Sequence, residues 1–223
     1  MGSPQIGRQG APPRPLVAFD FDGTLSFRDS FNAFLAWRSG PARLMLGLIA
    51  LLPSLTVYLF DRDRGRLKAA AVRVFLGGLQ KAELDAACDA FAHSSLGRRL
   101  IRPDAEQRWR HWRERGAELV IVTASPEAVV APFARRLGAD RLIATQLGYG
   151  ADDRLDGTLA SRNCRGPEKV ARLEAEYGDG VRLAAAYGDS AGDRELLELA
   201  DEKGYRVFTQ QSRRGSGPDC PGS

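Results

Sequence analysis

The side chains best suited to chemistry fall in four short segments. They are Asp20-Phe21-Asp22-Gly23-Thr24, then Thr123 with Ala124 and Ser125 behind it, then Gly166-Pro167-Glu168-Lys169, and last Gly188-Asp189-Ser190-Ala191-Gly192-Asp193. Carboxylates gathered at one place repel one another unless a cation sits among them. Ligands that are all oxygen favour a hard ion, so magnesium is the implied cofactor. Lys169 supplies the opposite fixed charge, able to hold a phosphoryl group and a carboxylate in place. A turn after a strand for Asp20, and a helix N-cap cluster for Asp189 and Asp193, are the plain alternatives. Capping does not account for Lys169.

For these segments to meet, the chain must deliver them to one edge of the fold. Apolar runs at Leu16–Phe21, Glu118–Val122, Arg141–Thr145, Val181–Tyr187 and Tyr205–Phe208 read as strands. Helical patterns cover Asp104–Arg115, Pro126–Leu137, Pro167–Tyr177 and Asp193–Ala200, the first three closed by Gly116, Gly138 and Gly178. Strand alternating with helix predicts an α/β fold with a doubly wound, Rossmann-like parallel sheet. Reactive groups in such a sheet collect beyond the carboxyl ends of its strands. Residues 29–99 break the alternation with segments rich in Ala, Leu and Arg and no strand. They are expected to form a helical cap inserted after the first strand, between core pieces at 15–28 and 100–210. A flexible leader over 1–14 and a flexible tail over 211–223 complete the expected division.

The order DFDGT, a strand ending in Thr123, Lys169 and then GDSAGD resembles the haloacid dehalogenase superfamily. That resemblance makes Asp20 the nucleophile that forms an aspartyl phosphate. It makes Asp22 the acid that protonates the leaving alcohol and then activates water. Asp20, the backbone carbonyl of Asp22, and Asp189 would bind magnesium, with Asp193 in support. Thr123, Lys169 and the amides of Gly23 and Ala124 would hold the phosphoryl oxygens. Members that cleave carbon–halogen bonds lack the second Asp, so the resemblance implies phosphoryl transfer. A cap placed between the first two motifs resembles the phosphoserine phosphatase-like subfamily IB, although Gly192 stands where that group often has Asn. The cap, TASPE, NCRGPEKV and AYGDS together resemble most the phosphatidylglycerophosphatase C type. This implies a phospholipid phosphate as substrate, with a soluble, phosphoserine-like phosphomonoester as the alternative.

The 223 residues, 43% hydrophobic and 27% charged, fit a soluble globular chain with one core and a modest insert. A net charge of +4 attracts anionic partners weakly. Cys88, Cys164 and Cys220 form no metal pattern and suit a reducing cytosol, at the inner face of the membrane if the substrate is a lipid. Leu44 to Phe60 carries no charge and sits at the lower edge of what spans a bilayer. It cannot be a single crossing, because Asp20 precedes it, Asp189 follows it, and both must reach one site. Pro53 would kink it into a hairpin or an interfacial segment, with Arg43, Arg62, Arg64, Arg66 and Lys68 available to anionic headgroups. Burial within the cap is the alternative. Asp29 is read either as a substrate-contacting acid or as an N-cap before Phe31. The run from Arg108 to Arg113 mixes arginines with Trp109, His111 and Trp112, a pattern that would also suit nucleic acid. At helical spacing the two indoles share a face and are expected to pack on the sheet, so no nucleic acid is expected as partner. His93 and His111 lack any partner pattern.

Overall fold

The computed structural model describes residues 14–210. The expected leader (but for residue 14), the tail and Cys220 lie outside the described residues. Strand β1 (Leu16–Phe19) leads into five helices: α1 (Ser30–Ala50), α2 (Leu52–Asp61), α3 (Arg64–Leu76), α4 (Lys81–His93) and α5 (Ser95–Arg98). The chain returns through α6 (Pro103–Glu114) to β2 (Glu118–Pro126), α7 (Glu127–Leu137) and β3 (Arg141–Thr145). A hairpin of β4 (Leu147–Tyr149) and β5 (Leu155–Leu159) precedes α8 (Pro167–Tyr177), β6 (Leu183–Gly188), a 3-10 turn at Ala191–Asp193, α9 (Arg194–Glu198) and β7 (Ala200–Tyr205).

The five-stranded sheet has the order β3-β2-β1-β6-β7, and every pairing in it is parallel. Central strands of such a sheet are covered on both faces, which is why their sequences read as unbroken apolar runs. Val17 and Phe19 face one buried cluster with Leu119, Ile121 and Tyr187, while Ala18, Val120, Val122 and Ala186 face the other. The first cluster extends into the helical insert through Phe31, Phe34, Val72, Phe75 and Phe91. Phe21 meets Phe133 at 5.4 Å, Phe133 meets Phe91 at 5.9 Å, and Phe91 meets Phe34 at 5.7 Å, a relay of rings that seats the insert on the core.

Two expectations need correction, and one element was not foreseen. The last strand is Ala200–Tyr205, not Tyr205–Phe208. It is an edge strand whose Asp201, Glu202 and Lys203 face solvent, and such a charged edge has a helical composition. The helix expected over Asp193–Ala200 is accordingly cut short at Glu198. The hairpin β4–β5 was hidden in a Gly/Asp-rich stretch; Gly157, at φ 79°, lets β5 lie against Arg73 of α3 where any Cβ would collide.

Leu44 to Phe60 forms the last third of α1 and most of α2, bent by 51° rather than folded back as a hairpin. Pro53 lies in the first turn of α2, where its missing N–H costs nothing. No single helix among the described residues is long and apolar enough to cross a membrane. Nor does the segment hide in the cap: α2 has no buried residue, Leu46 is 68% exposed and Phe60 90%.

Candidate active site

Lys169 sits in the first turn of α8 with 1% of its surface exposed. Its ammonium spends all three donors inside the protein, on Asp20 Oδ1 at 2.6 Å, Asp193 Oδ1 at 2.6 Å and the Val122 carbonyl at 2.7 Å. Three of the four sequence segments thus meet at one nitrogen, and Val122 adjoins Thr123 of the remaining one. Asp20 follows β1, its N–H bonded to the Tyr187 carbonyl at 2.9 Å, so pairing with β6 fixes it. Asp193 turns its other oxygen to Ser190 N and Oγ at 2.9 and 2.8 Å and to Asp189 N at 3.2 Å, which clamps the loop carrying Asp189.

Carboxylate oxygens of Asp20, Asp189 and Asp193 lie within 4.8 Å of one another. Gly23, at φ 85°, passes against Asp189 with no room for a side chain. Among the described residues the half-buried Asp189 carboxylate accepts no hydrogen bond, and burial with the charge of Asp193 pushes its pKa up. An anion so placed in a cluster of three carboxylates fits a hard divalent cation.

Residues 17–198 match the haloacid dehalogenase-like hydrolases. The chain belongs to that family. Protein CicA of Caulobacter vibrioides is 56% identical over 205 residues, covering 92% of this chain and 91% of that protein. A probable phosphatase of Mycobacterium tuberculosis is 36% identical over 86 residues, which cover 37% of this chain and 29% of that protein. The crystal structure of a Bordetella pertussis protein of unknown function has a TM-score of 0.69 at 27% identity, covering 84% of this chain and 87% of that one. Substrate-bound phosphoserine phosphatase shares the fold, with a TM-score of 0.60 at 20% identity over 87% of each chain. As a member it is a hydrolase, and it carries a second carboxylate, Asp22, two residues after Asp20.

Both oxygens of Asp22 are held. Oδ1 accepts from the Ser30 N–H at 2.7 Å, at the start of α1, and Oδ2 accepts from the Ser125 hydroxyl. Ser30 Oγ in turn donates to Ser125 Oγ at 3.3 Å. Burial, reinforced by the charge of Asp29, pushes the Asp22 carboxyl up to about 6 against these hydrogen bonds, a value suited to proton transfer near neutral pH. Burial also dominates at Asp20, pushing it up to about 7 despite Lys169, with Asp193 and Asp22 adding to the rise. Burial works against the Lys169 ammonium, but Asp20 and Asp193 outweigh it and hold the group up at about 12.

These groups line a cavity of about 480 Å³ that includes Asp20, Asp22, Gly23, Thr123, Ala124, Lys169, Asp189 and Asp193, so every site residue expected from sequence shares it. Asp29 lines it too, and its side chain caps α1 through Asn32 N at 2.7 Å, as the N-cap reading expects. Contributors that sequence reasoning missed include Ser30, Lys68, Asn163 and Arg165. Lys68 belongs to the basic run expected at the headgroups, yet it turns inward and donates to the Ala124 carbonyl and, at 2.8 Å, to Asn163 Oδ1. Burial lowers its pKa to about 8 against the pull of Asp22 and Asp29. Only its place on the inner face of α3 could have signalled this. Trp109 and Trp112 are buried, Trp109 against Phe19 at 5.0 Å and Trp112 bonded to the Tyr187 hydroxyl at 2.9 Å, so neither indole can stack on a base. His93 and His111 are exposed and line no part of this cavity.

Proposed function

We propose that the protein is a magnesium-dependent phosphomonoester hydrolase that works through an aspartyl phosphate on Asp20. The meeting of Asp20, Asp193 and Lys169 beside Asp22 in one cavity carries this reading. Lys169 engages Asp20 Oδ1, which leaves Oδ2 to attack phosphorus. The phosphorus–oxygen bond to the alcohol breaks, and Asp22 gives its proton to the departing alkoxide. Asp22, now ionised, takes a proton from water, whose oxygen attacks the acyl phosphate; inorganic phosphate leaves and Asp20 is restored. Thr123 and the amides of Gly23 and Ala124 receive the phosphoryl oxygens. Asp20, Asp189 and the Asp22 carbonyl would hold the magnesium ion, supported by Asp193. Bound there, the ion supplies neutralisation of the charge shared by the carboxylate and the phosphoryl group.

The substrate we favour is a phospholipid phosphate, of which phosphatidylglycerophosphate is an example, presented at the inner face of a cytoplasmic membrane. What supports this is the exposure of α1 and α2, where Met45, Leu48, Ile49, Leu52, Leu55 and Leu59 are 43–61% exposed, while Tyr58 of α2 lines the catalytic cavity. So large an uncovered apolar surface marks an interaction site. Arg43, Arg62 and Arg64 flank it with positive charge suited to anionic headgroups. A bilayer suits it because the apolar side chains stand on two successive helices flanked by arginines.

The test pairs Leu48→Glu with Leu55→Glu. Both side chains are at least 43% exposed, so the variant is expected to fold and to hydrolyse a small soluble ester normally. A charge placed in the apolar zone of a bilayer costs on the order of 2.5–3.5 kcal/mol, so two should abolish co-sedimentation with anionic vesicles and lipid-phosphate turnover. Wild-type protein that stays in the supernatant would sink the lipid reading and leave a soluble phosphomonoester as substrate.

A further inference from the structure

Lys68 belongs to none of the four segments, yet it reaches from the cap helix α3 into the catalytic cavity. We propose that Lys68 is a positioning residue of the reaction: from the cap it fixes the Ala124–Ser125 peptide and, through the Ser125 hydroxyl, the carboxylate of Asp22. The inference rests on the reading of Asp22 as the acid.

The connection can be followed bond by bond. The Lys68 ammonium donates to the Ala124 carbonyl, which also accepts from Thr145 Oγ1 at 2.8 Å, so both lone pairs of that oxygen are engaged. The N–H of the same peptide, on Ser125, donates to Thr123 Oγ1 at 3.1 Å. Held at both ends, the peptide cannot rotate, and Ser125 Oγ is set against Asp22 Oδ2. Ser125 is 3% exposed, so water is a poor substitute for these contacts. The second Lys68 acceptor, Asn163, precedes Cys164, whose N–H donates to Thr145 Oγ1 at 3.0 Å. One ammonium therefore ties together the cap, the C-terminal end of β2 and the segment before α8.

Alternative duties for Lys68 fit less well. No carboxylate among the described residues lies within ion-pair distance of it, so it is no salt bridge. Its acceptors are a peptide carbonyl and an amide oxygen, and an ammonium holding both has one donor left. A charged donor on a buried carbonyl is among the stronger hydrogen bonds available to fix a loop. Its loss would displace the acid by a fraction of an ångström to an ångström, a shift that costs up to about a hundredfold in rate.

The experiment uses the full chain with magnesium and two soluble substrates, glycerol phosphate and p-nitrophenyl phosphate. The first needs its leaving group protonated; the second does not. Lys68→Met is expected to lower kcat/KM on glycerol phosphate about ten- to a hundredfold and on p-nitrophenyl phosphate less than about threefold. Ser125→Ala should show the same selectivity, and the double variant should fall within about threefold of the worse single one, because both act through Asp22. Equal losses on the two esters would make Lys68 a phosphate ligand and overturn the inference, as would multiplicative losses in the double variant or no loss at all. Asp22→Asn is the control. If it discriminates between the esters and Lys68→Met does not, the inference fails alone; if it does not discriminate, the acid reading fails and takes the inference with it. Should Lys68→Met not fold, Lys68→Arg, which keeps the charge but cannot place one nitrogen on both acceptors, carries the same comparison with the same expected selectivity.

Discussion

Replacing Asp20 by Asn removes one negative charge and changes the shape of the side chain very little. Burial pushes the Asp20 carboxyl from 3.8 up to about 7, which means the folded protein holds that proton more tightly than the unfolded chain does. At 1.36 kcal/mol for each unit of pKa, ionising Asp20 costs the fold on the order of 4 kcal/mol once both states are deprotonated. The sign follows. Between pH 4 and 7 the folded state binds the extra proton, so the stability given by the neutral carboxyl is complete below pH 4 and is lost as pH rises through 7. Asp20→Asn has no such proton. In chelator, guanidinium unfolding should therefore find the variant and wild type close at pH 4, and the variant more stable by as much as about 4 kcal/mol at pH 8. Turnover should be lost at every pH. A wild-type protein no less stable than Asp20→Asn at pH 8, or a difference that does not vary with pH, would refute the argument that Asp20 is held against its own charge. Strained charges of this kind are where active sites trade stability for reactivity.

Lys169→Met leaves Asp20 and Asp193 buried with no counter-charge, and is expected to cost about 3–5 kcal/mol at pH 8 by denaturant unfolding, besides abolishing turnover. Asp189→Ala should unfold at a temperature close to wild type in chelator but lose the upward shift that added magnesium gives wild type, which thermal unfolding with and without the ion would show. An unchanged shift would place the ion elsewhere.

The catalytic part of this fold was legible in the sequence because it is local and strongly patterned. Asp20, Asp22, Asp189 and Asp193 lie in loops that directly follow apolar strands, so knowing that β1 and β6 are neighbours suffices to bring them together. Lys169 was readable because Pro167 and Gly166 mark the start of its helix. Other parts were not readable, for physical reasons that differ. The edge strand β7 carries Asp201, Glu202 and Lys203 because an edge must resist further pairing, and the same residues read as helix. The hairpin β4–β5 is stabilised by packing on α3 through Gly157, a tertiary contact with no local signature. Ser30 and Lys68 act on the site from the cap, across gaps of 8 and 56 residues to Asp22 and Ala124, and nothing in a single sequence fixes how a helical insert sits on its core.

On the proposed function, the same insert lets a lipid phosphate and a soluble ester share one chemistry. Its inner surface supplies Ser30 and Lys68 to the acid–base machinery, while its outer surface, on α1 and α2, is apolar and uncovered. Helix α2 spans both roles within ten residues, with Tyr58 on the cavity wall and Phe60 90% exposed. On the lipid reading, a headgroup phosphate reaches Asp20 through that cavity, past Tyr58. A small soluble ester reaches Asp20 through the same cavity without any membrane. Charges on the outer face should then separate the two activities, whereas changes to Lys68 or Ser125 should lower both and divide them by leaving group instead.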